Sequence, residues 1–362
     1  MSPDPLRIVD APRAVDVPES PVAFLSALGG ATLLRVRGRD RSRVRAVTTL
    51  LHGNEPSGLH ALHAWLRSDP VPAVDVIAIV AAVETALHGD GFAHRALPGR
   101  RDLNRCFFGP PDEPEGALAA AILRALRVAG PEAVVDVHNN TGHNPAYGVG
   151  PLAGKRELAL CAHFGDRYVH STLRLGALVE ATTEFAPSVT IEVGRAGDPA
   201  ADRTALAGLE RYVASPDPTA PTEDGRKMLV YRDPRRVSLR PGISLAFADA
   251  AVEGADLTIR ADVERHNFES VAAGEPIGWV RTDVERPLEV RCADGRDHTD
   301  DSFSLNGGLL ALRRGGVPIM VTTNAAVASS DCLFYLVRPV EVETSPSIPA
   351  DPGSSQDPAA EI

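Results

Sequence analysis

Three side chains in this sequence have the types and spacing of a metal-binding set. His52 and Glu55 form an HxxE pair within LLHGNEPSG, and His138 ends the apolar run VVDVH. Catalytic zinc sites commonly take three protein ligands from His and carboxylate side chains and leave one coordination position open for water. Bound zinc lowers the pKa of that water from about 15.7 toward about 7, so hydroxide becomes available at neutral pH. The set therefore predicts a zinc-dependent hydrolytic centre with His52, Glu55 and His138 as ligands.

Each part of this set also has a structural interpretation. An HxxE pair alone is more typical of a polar turn and a helix cap than of a metal site. His138 alone could end a strand with hydrogen bonds to Asn139 and Asn140. Because the three donors occur together with a further carboxylate described next, the metal site is the favoured interpretation.

Glu192 is a carboxylate within the apolar run TIEVG. Burying a charge without a partner is costly, so such a residue indicates a specific role. Partial burial would raise its pKa into the range of a general base that accepts a proton from water. A structural ion pair with Arg195 or Arg203 is the alternative.

Asn104 and Arg105 stand side by side in RRDLNRCF and are suited to binding a substrate carboxylate. A guanidinium group and an amide can both donate hydrogen bonds to carboxylate oxygens. Arg105 could instead form a structural pair with Asp102 or Asp112, since Arg–carboxylate pairs are common ties within proteins.

The elements that must position these residues alternate between buried strands and helices. Pro56 begins a helical segment, because Pro favours the first helical turn and GLHALHAWLR follows with apolar spacing. The polar candidates lie at strand ends, where parallel sheets bind ligands. An α/β sandwich with a mainly parallel sheet is predicted, with strands at 44–51, 74–83, 132–138 and 188–194 and helices at 115–129 and about 199–214.

Composition changes along the chain predict four parts. Residues 1–30 have no sustained period and are expected to be irregular. The catalytic domain is expected over 31–225 and ends in the Pro- and Asp-rich linker SPDPTAPTEDG. Short β-rich runs predict a second domain over 226–340, and the polar segment 341–362 is expected to be disordered.

Composition also excludes several classes of function. The 362-residue chain carries a formal net charge of -11, which gives no reason to expect a nucleic-acid partner. No segment has the roughly 18 consecutive apolar residues that cross a bilayer, and no secretory signal is recognisable. The four cysteines lie far apart without a CxxC pair, which favours a cytoplasmic protein whose zinc is held by His and carboxylate. Homo-oligomer formation stays open.

Four motifs, HGNEPSG, RDLNR, VVDVHNN and IEVG, occur in this order over about residues 44–214 and resemble the succinylglutamate desuccinylase/aspartoacylase family. This family belongs to the zinc carboxypeptidase-like superfamily. The resemblance implies a three-layer sandwich with a mainly parallel mixed sheet, plus a smaller β-rich C-terminal domain. It implies one Zn²⁺ per chain on the three ligands named above, Glu192 as the base, and Asn104 and Arg105 as the carboxylate clamp. Asn139, in the third motif, is a further candidate for substrate binding.

The motifs identify the arginine that would stabilise the oxyanion less directly than they identify the other candidates. Arg95, Arg100 and Arg101 lie just upstream of Asn104 and Arg105, and one of them could polarise the scissile carbonyl. In the family this arginine stands five residues before the Asp of DLNR, a position that is Leu97 here. We expect Arg95, two residues earlier, to take the role.

The function expected from these observations is hydrolysis of the amide bond in a small N-acyl amino acid that carries a carboxylate. A carboxypeptidase-like enzyme would use the same metal set, and a catalytically silent ligand-binding homologue would keep the fold. The family's substrate-facing tyrosine from the C-terminal domain has no motif here, although Tyr231 and Tyr335 lie in that part of the chain.

Overall fold

A computed structural model describes residues 4–140, 142–221, 227–292, 294–330 and 332–343. The strands are β1 (Arg7–Asp10), β2 (Thr32–Val36), β3 (Asp40–Thr49), β4 (Val74–Val80), β5 (Val134–Asn140), β6 (Tyr147–Gly150), β7 (Arg167–His170), β8 (Ser188–Arg195), β9 (Lys227–Leu239), β10 (Leu245–Ala248), β11 (Leu257–Arg260), β12 (Pro276–Val280), β13 (Leu288–Arg291), β14 (Phe303–Asn306), β15 (Leu309–Leu312), β16 (Val317–Ile319) and β17 (Phe334–Glu343). The helices are α1 (Pro21–Leu28), α2 (Ser57–Arg67), α3 (Val83–Leu87), α4 (Pro114–Ala129), α5 (Lys155–Ala162), α6 (Leu178–Thr182), α7 (Pro199–Ala214), α8 (Thr299–Ser302) and α9 (Ala325–Ser330).

The larger sheet has a parallel centre. Its strand order is β1-β2-β4-β3-β5-β8-β6-β7-β9-β17-β16, and β13 also pairs with β9. The central pairs β4–β3, β3–β5 and β5–β8 are all parallel. These strands are the apolar runs identified in the sequence, and the helices that follow β3 and β8 begin at Ser57 and Pro199. The predicted α/β class with a mainly parallel mixed sheet is confirmed.

Helices cover both faces of this sheet, which explains why its central strands are apolar throughout. Successive residues of β3, Ala46 and Val47, belong to different buried clusters. One cluster contains Leu62 of α2 and Leu209 of α7, and the other contains Ile122 of α4. The chain therefore forms a three-layer sandwich around the strands that carry the candidate site.

The C-terminal part adds a five-stranded sheet of order β10-β11-β12-β15-β14. The long strand β9 does not start a separate sheet, because it pairs in parallel with β7 and antiparallel with β17. Hydrogen bonding of the larger sheet thus continues past residue 226, where the sequence predicts a second domain. The domain division stays a prediction.

The N-terminal segment differs from the irregular structure expected over residues 1–30. Strand β1 pairs in parallel with β2, and α1 buries Phe24 and Leu25. The hydroxyl of Ser20 accepts a hydrogen bond from the backbone N–H of Ala23, Pro21 begins the helix, and Gly29 ends it at φ 68°. Standard capping residues therefore define an eight-residue helix that is too short to show a hydrophobic period.

The expected disordered tail at 341–362 lies outside the described residues from 344 onward, whereas residues 341–343 are part of β17. Within the described part of the chain, no helix combines the length and apolar character needed to cross a membrane.

Candidate active site

His52 and Glu55 lie in the turn between β3 and α2, at the carboxyl end of the parallel strands. Leu50 adopts a positive φ of 59° where β3 ends, an unusual conformation for a branched apolar residue. A Cβ atom on Gly53 would approach the carbonyl oxygen of His94 to 2.8 Å, so the turn requires glycine between the two candidate ligands. The turn places an imidazole and a carboxylate three residues apart on the same buried point.

His138 and Glu192 lie side by side on neighbouring parallel strands. They are partners in the register of β5 and β8, and Tyr147 of β6 pairs with Glu192 on its other side. Residues in register on adjacent strands project from the same face of a sheet. The sheet therefore presents an imidazole and a carboxylate to the same cavity.

The three predicted ligands converge. The Nδ1 atom of His52 lies 2.9 Å from Oε1 of Glu55, and the Nδ1 atom of His138 lies 2.8 Å from Oε2. The two Nδ1 atoms are 3.2 Å apart. All three residues are buried, with 3%, 5% and 2% of their surfaces exposed. Their ligand atoms lie within 4.8 Å of one another, so the structure brings the predicted set together as a possible metal site.

Each imidazole has one aspartate beside its Nε2 atom, the ring nitrogen that faces away from Glu55. The Nε2 atom of His52 lies 3.0 Å from Oδ1 of Asp102, and the Nε2 atom of His138 lies 2.7 Å from Oδ2 of Asp136. Carboxylates in this position orient the ring of a metal-bound histidine and increase its basicity. Both were missed as site residues, although Asp136 stands two residues before His138, on the same face of a strand.

The donor set fits a zinc ion. An imidazole that donates its Nε2–H to a carboxylate has a lone pair at Nδ1 in its neutral form. Both lone pairs would then point toward Glu55, which completes the two-histidine, one-carboxylate set of many hydrolytic zinc sites. Burial raises the pKa of Glu55, but His52 and His138 outweigh it and hold the pKa well below its ordinary value. The Glu55 side chain is therefore an anionic carboxylate, as a metal ligand would need to be.

Glu192 has the environment expected of a general base. Burial raises the pKa of its carboxyl to about 8, against the lowering effect of His138. Its Oε2 atom is buried and has no hydrogen-bonding partner among the described residues. A carboxyl group with a pKa near neutral can both accept and donate a proton during turnover.

Of the three arginines upstream of Asn104, Arg95 lines the cavity. Its Nε atom donates to Asp102 at 2.9 Å and its Nη1 atom to Glu55 at 3.2 Å. Arg100 and Arg101 form salt bridges with glutamates at the start of α4. Arg95 therefore contacts the candidate ligand Glu55 directly. It also contacts Asp102, which lies beside the candidate ligand His52.

Asn104 and Arg105 both line the cavity beside the ligands. The Oδ1 atom of Asn104 accepts a hydrogen bond from the backbone N–H of Leu178 at 2.9 Å, which leaves the amide nitrogen as the group for a ligand. Arg105 donates from Nη1 to the carbonyl of Asn104. Among the described residues it forms no salt bridge with Asp102 or Asp112, although its positive charge is one of the causes that lower the pKa of Asp102.

The two asparagines after His138 differ in what they can offer a ligand. The side chain of Asn139 accepts a hydrogen bond from Ser57 N and donates to Ser57 Oγ and the carbonyl of Gly194. It ties the start of α2 to β8. Asn140, by contrast, receives the Tyr147 hydroxyl at Oδ1, and its buried Nδ2 has no partner among the described residues. Asn140 is a cavity donor that was not predicted, and no sequence feature distinguishes it from its neighbour.

The cavity around this cluster has a volume of about 210 Å³. The C-terminal part of the chain forms one of its walls through Ile319, Met320 and Tyr335. Tyr335 reaches the cavity because β17 pairs with β16, where it stands opposite Ile319. Tyr231 lies in a buried apolar cluster and does not line the cavity.

Comparison with solved structures gives the same fold. A succinylglutamate desuccinylase from Vibrio parahaemolyticus is 15% identical, with a TM-score of 0.59 over 90% of this chain and 98% of that chain. A succinylglutamate desuccinylase/aspartoacylase from Rhodobacter sphaeroides is 17% identical, with a TM-score of 0.55 over 84% and 88% of the two chains. Murine aminoacylase 3 is 19% identical, with a TM-score of 0.53 over 85% and 98%.

No family model matches the sequence, and no curated protein matches it either. At identities below 20% these solved structures show a shared fold. The fold that the four ordered motifs imply is therefore confirmed from the coordinates.

Proposed function

We propose that this chain is a zinc-dependent amidohydrolase that cleaves the amide bond of small N-acyl amino acids. One observation carries the proposal: His52, Glu55 and His138 converge on one buried point, and Glu192 stands in register beside His138 in the same cavity. This is a complete set of ligands and base at the carboxyl ends of parallel strands. The fold shared with desuccinylases and an aminoacylase supports the same class of reaction.

Within this proposal the three ligands would hold the ion, and Asp102 and Asp136 would keep the two imidazoles oriented. When bound, zinc supplies Lewis-acid chemistry: it polarises a carbonyl and makes water acidic. Glu192 accepts a proton from the attacking water at its unpartnered Oε2 atom. It then donates that proton to the departing amine, which leaves as a neutral group.

Two further groups of residues position the substrate. Arg105 and the amide nitrogen of Asn104 bind the substrate carboxylate as charged and neutral donors. Arg95 uses Nε and Nη1 for Asp102 and Glu55, which leaves Nη2 as its donor toward the developing oxyanion. Asn139 also lines the cavity and stays a candidate for substrate binding, with its amide already bonded to Ser57 and Gly194.

Glu192→Gln tests the proposal. The change keeps the shape of the side chain but removes the base, so turnover should fall by about 10²-fold or more while metal content is unchanged. Release of amine from N-acetyl and N-succinyl amino acids would be measured on zinc-loaded protein, with metal content determined by elemental analysis. Glu184→Gln, at an exposed carboxylate paired with Arg127, is the matched control and should retain activity. Full activity of the Glu192→Gln protein would remove Glu192 from this role.

The same panel separates the alternative functions. A carboxypeptidase-like enzyme would release the terminal residue from short peptides, but a cavity of about 210 Å³ is small even for a drug-sized ligand and favours a small acyl compound. Preferential cleavage of peptides would replace the deacylase proposal. A protein that binds zinc but cleaves neither the N-acyl amino acids nor the short peptides would be a catalytically silent homologue.

A further inference from the structure

We infer that the cavity selects N-acyl amino acids that carry one carboxylate and an otherwise apolar body, and that it discriminates against dicarboxylate substrates. The inference rests on the proposed function and specifies its substrate class. The evidence for the inference is the set of charged and apolar side chains that line the cavity, and not the candidate metal ligands.

Among the described residues that line the cavity, only one arginine has no salt bridge to a protein carboxylate. Two arginines line it in the described part of the chain, Arg95 and Arg105. Arg95 is held by Glu55 and Asp102 at 3.2 and 2.9 Å. Arg174 lies on an adjoining loop but is exposed and does not line the cavity. Arg105 is therefore the cation that can pair with a substrate carboxylate, and a second carboxylate has no comparable partner among these residues.

A carboxylate of the protein also lines the cavity. Glu180 lines the cavity and accepts hydrogen bonds from the backbone N–H groups of Leu175 and Ala177 at 2.9 and 3.3 Å. These bonds hold it in place at the start of α6. A second substrate carboxylate near Glu180 would meet a fixed negative charge, which disfavours it further.

The remaining wall is largely apolar and comes from both parts of the chain. The lining includes Val149, Val169 and Val179 from the first part of the chain and Ile319 and Met320 from the C-terminal part. Burying an unpaired carboxylate against such a surface is costly, whereas an aliphatic or aromatic group gains by leaving water. The neutral donor at Asn140 Nδ2 can bind a carbonyl oxygen but supplies no charge. The wall therefore favours an apolar side chain or acyl group.

A substrate panel tests the inference directly. We expect kcat/KM for N-acetyl-L-leucine and N-acetyl-L-phenylalanine to exceed that for N-acetyl-L-aspartate and N-succinyl-L-glutamate by at least about tenfold, because the dicarboxylates would bury an unpaired charge. Equal or reversed preference would overturn the inference and leave the proposed hydrolysis standing. No release from any of these compounds would contradict the proposed function instead.

A charge-adding variant gives an independent test. Met320→Arg places a second cation in the wall, and it should narrow or reverse the preference between N-acetyl-L-leucine and N-acetyl-L-aspartate. Leu305→Arg, at a 40% exposed position away from the cavity, is the control and should leave the preference unchanged. If Met320→Arg does not fold, Leu173→Arg introduces the same charge at a partly exposed lining residue. An unchanged preference in a folded variant would contradict the charge argument.

Binding can be read without turnover. In the Glu192→Gln protein, thermal stabilisation by N-acetyl-L-leucine should exceed that by N-acetyl-L-aspartate at the same concentration. Adding Arg105→Gln should reduce stabilisation by N-acetyl-L-leucine but not by its uncharged carboxamide, since the carboxamide makes no ion pair to lose. Stronger thermal stabilisation by N-acetyl-L-aspartate than by N-acetyl-L-leucine would overturn the inference. So would an Arg105→Gln change that reduces stabilisation by the acid and by the carboxamide equally.

Discussion

At the scale of single residues, the site depends on which nitrogen of each imidazole is turned outward. His52 and His138 both place Nε2 against an aspartate and Nδ1 toward Glu55. The two aspartates thereby select the tautomer in which Nδ1 carries the lone pair. A histidine cluster without these partners would have no fixed donor direction.

Asp136→Asn is therefore expected to weaken metal binding. Asp136 is 1% exposed and its Oδ2 atom lies 2.7 Å from Nε2 of His138. An amide lacks the negative charge that increases the basicity of the ring, so zinc affinity should fall by about 10- to 100-fold. Competition with a chromophoric chelator would measure it. Asp283→Asn, on the exposed surface, should bind zinc like the original chain. Equal affinity of the two variants would contradict the role of Asp136.

At the scale of elements, a buried arginine joins the central sheet to the helix α7. Arg45 of β3 is fully buried, and its Nη1 atom donates to the carbonyl of Tyr212 near the end of α7 at 2.7 Å. Its Nε atom lies 2.5 Å from Oε1 of Glu132, just before β5. The cation also lies at the negative end of a helix, where it is favoured. One side chain thus aligns two central strands with the helix that follows β8.

Arg45→Met should lower the free energy of unfolding by about 3 kcal/mol, because it leaves a buried carbonyl and part of a carboxylate without their donor. Arg43→Met removes the other arginine bound to Glu132, but Arg43 is 41% exposed, so it should cost less than about 1 kcal/mol. Urea denaturation followed by circular dichroism would compare the two. If Arg43→Met lowered the free energy of unfolding more than Arg45→Met, the contact of Arg45 between sheet and helix would not be the important one.

At the scale of the whole molecule, the cavity is completed by a segment more than 170 residues from the candidate ligand His138 in sequence. Asn267 donates from Nδ2 to the carbonyls of His143 and Val321 at 3.1 Å each, and accepts the N–H of Val321 at 2.8 Å. Val321 follows Met320, whose N–H donates to Asn144. These hydrogen bonds hold the C-terminal wall against the loop after β5.

Asn267→Ala should therefore affect substrate binding more than catalysis. Losing three hydrogen bonds at a buried site should cost about 2 kcal/mol or more of stability. Because the wall and not the base is loosened, KM should rise while kcat and metal content change little. Asn306→Ala, at an exposed strand end, is the control. A fall in kcat at unchanged KM would place Asn267 in the chemistry instead of the wall.

Many of the candidate site residues could be predicted from the sequence, because they lie in short motifs at the ends of recognisable strands. His52 and Glu55 are three residues apart in one turn, whereas His138 ends one apolar run and Glu192 lies within another, and both runs predict buried strands. The parallel order of those strands then required their carboxyl ends to meet at one edge. The α/β class and the central elements followed from the same pattern.

The tertiary structure decided what depends on contacts distant in sequence. Asp102 was visible only as part of a motif, and its hydrogen bond to His52 spans 50 residues. The adjacent Asn139 and Asn140 have the same donors and acceptors, and only their neighbours in space make one a structural tie and the other a cavity donor. Tyr335 and Met320 reach the cavity through strand pairing and a turn that no local period encodes. By itself the sequence determined the reactive groups and the strands that carry them. The shape and charge of the cavity, on which the proposed choice of substrate rests, depend on which distant side chains the fold brings together.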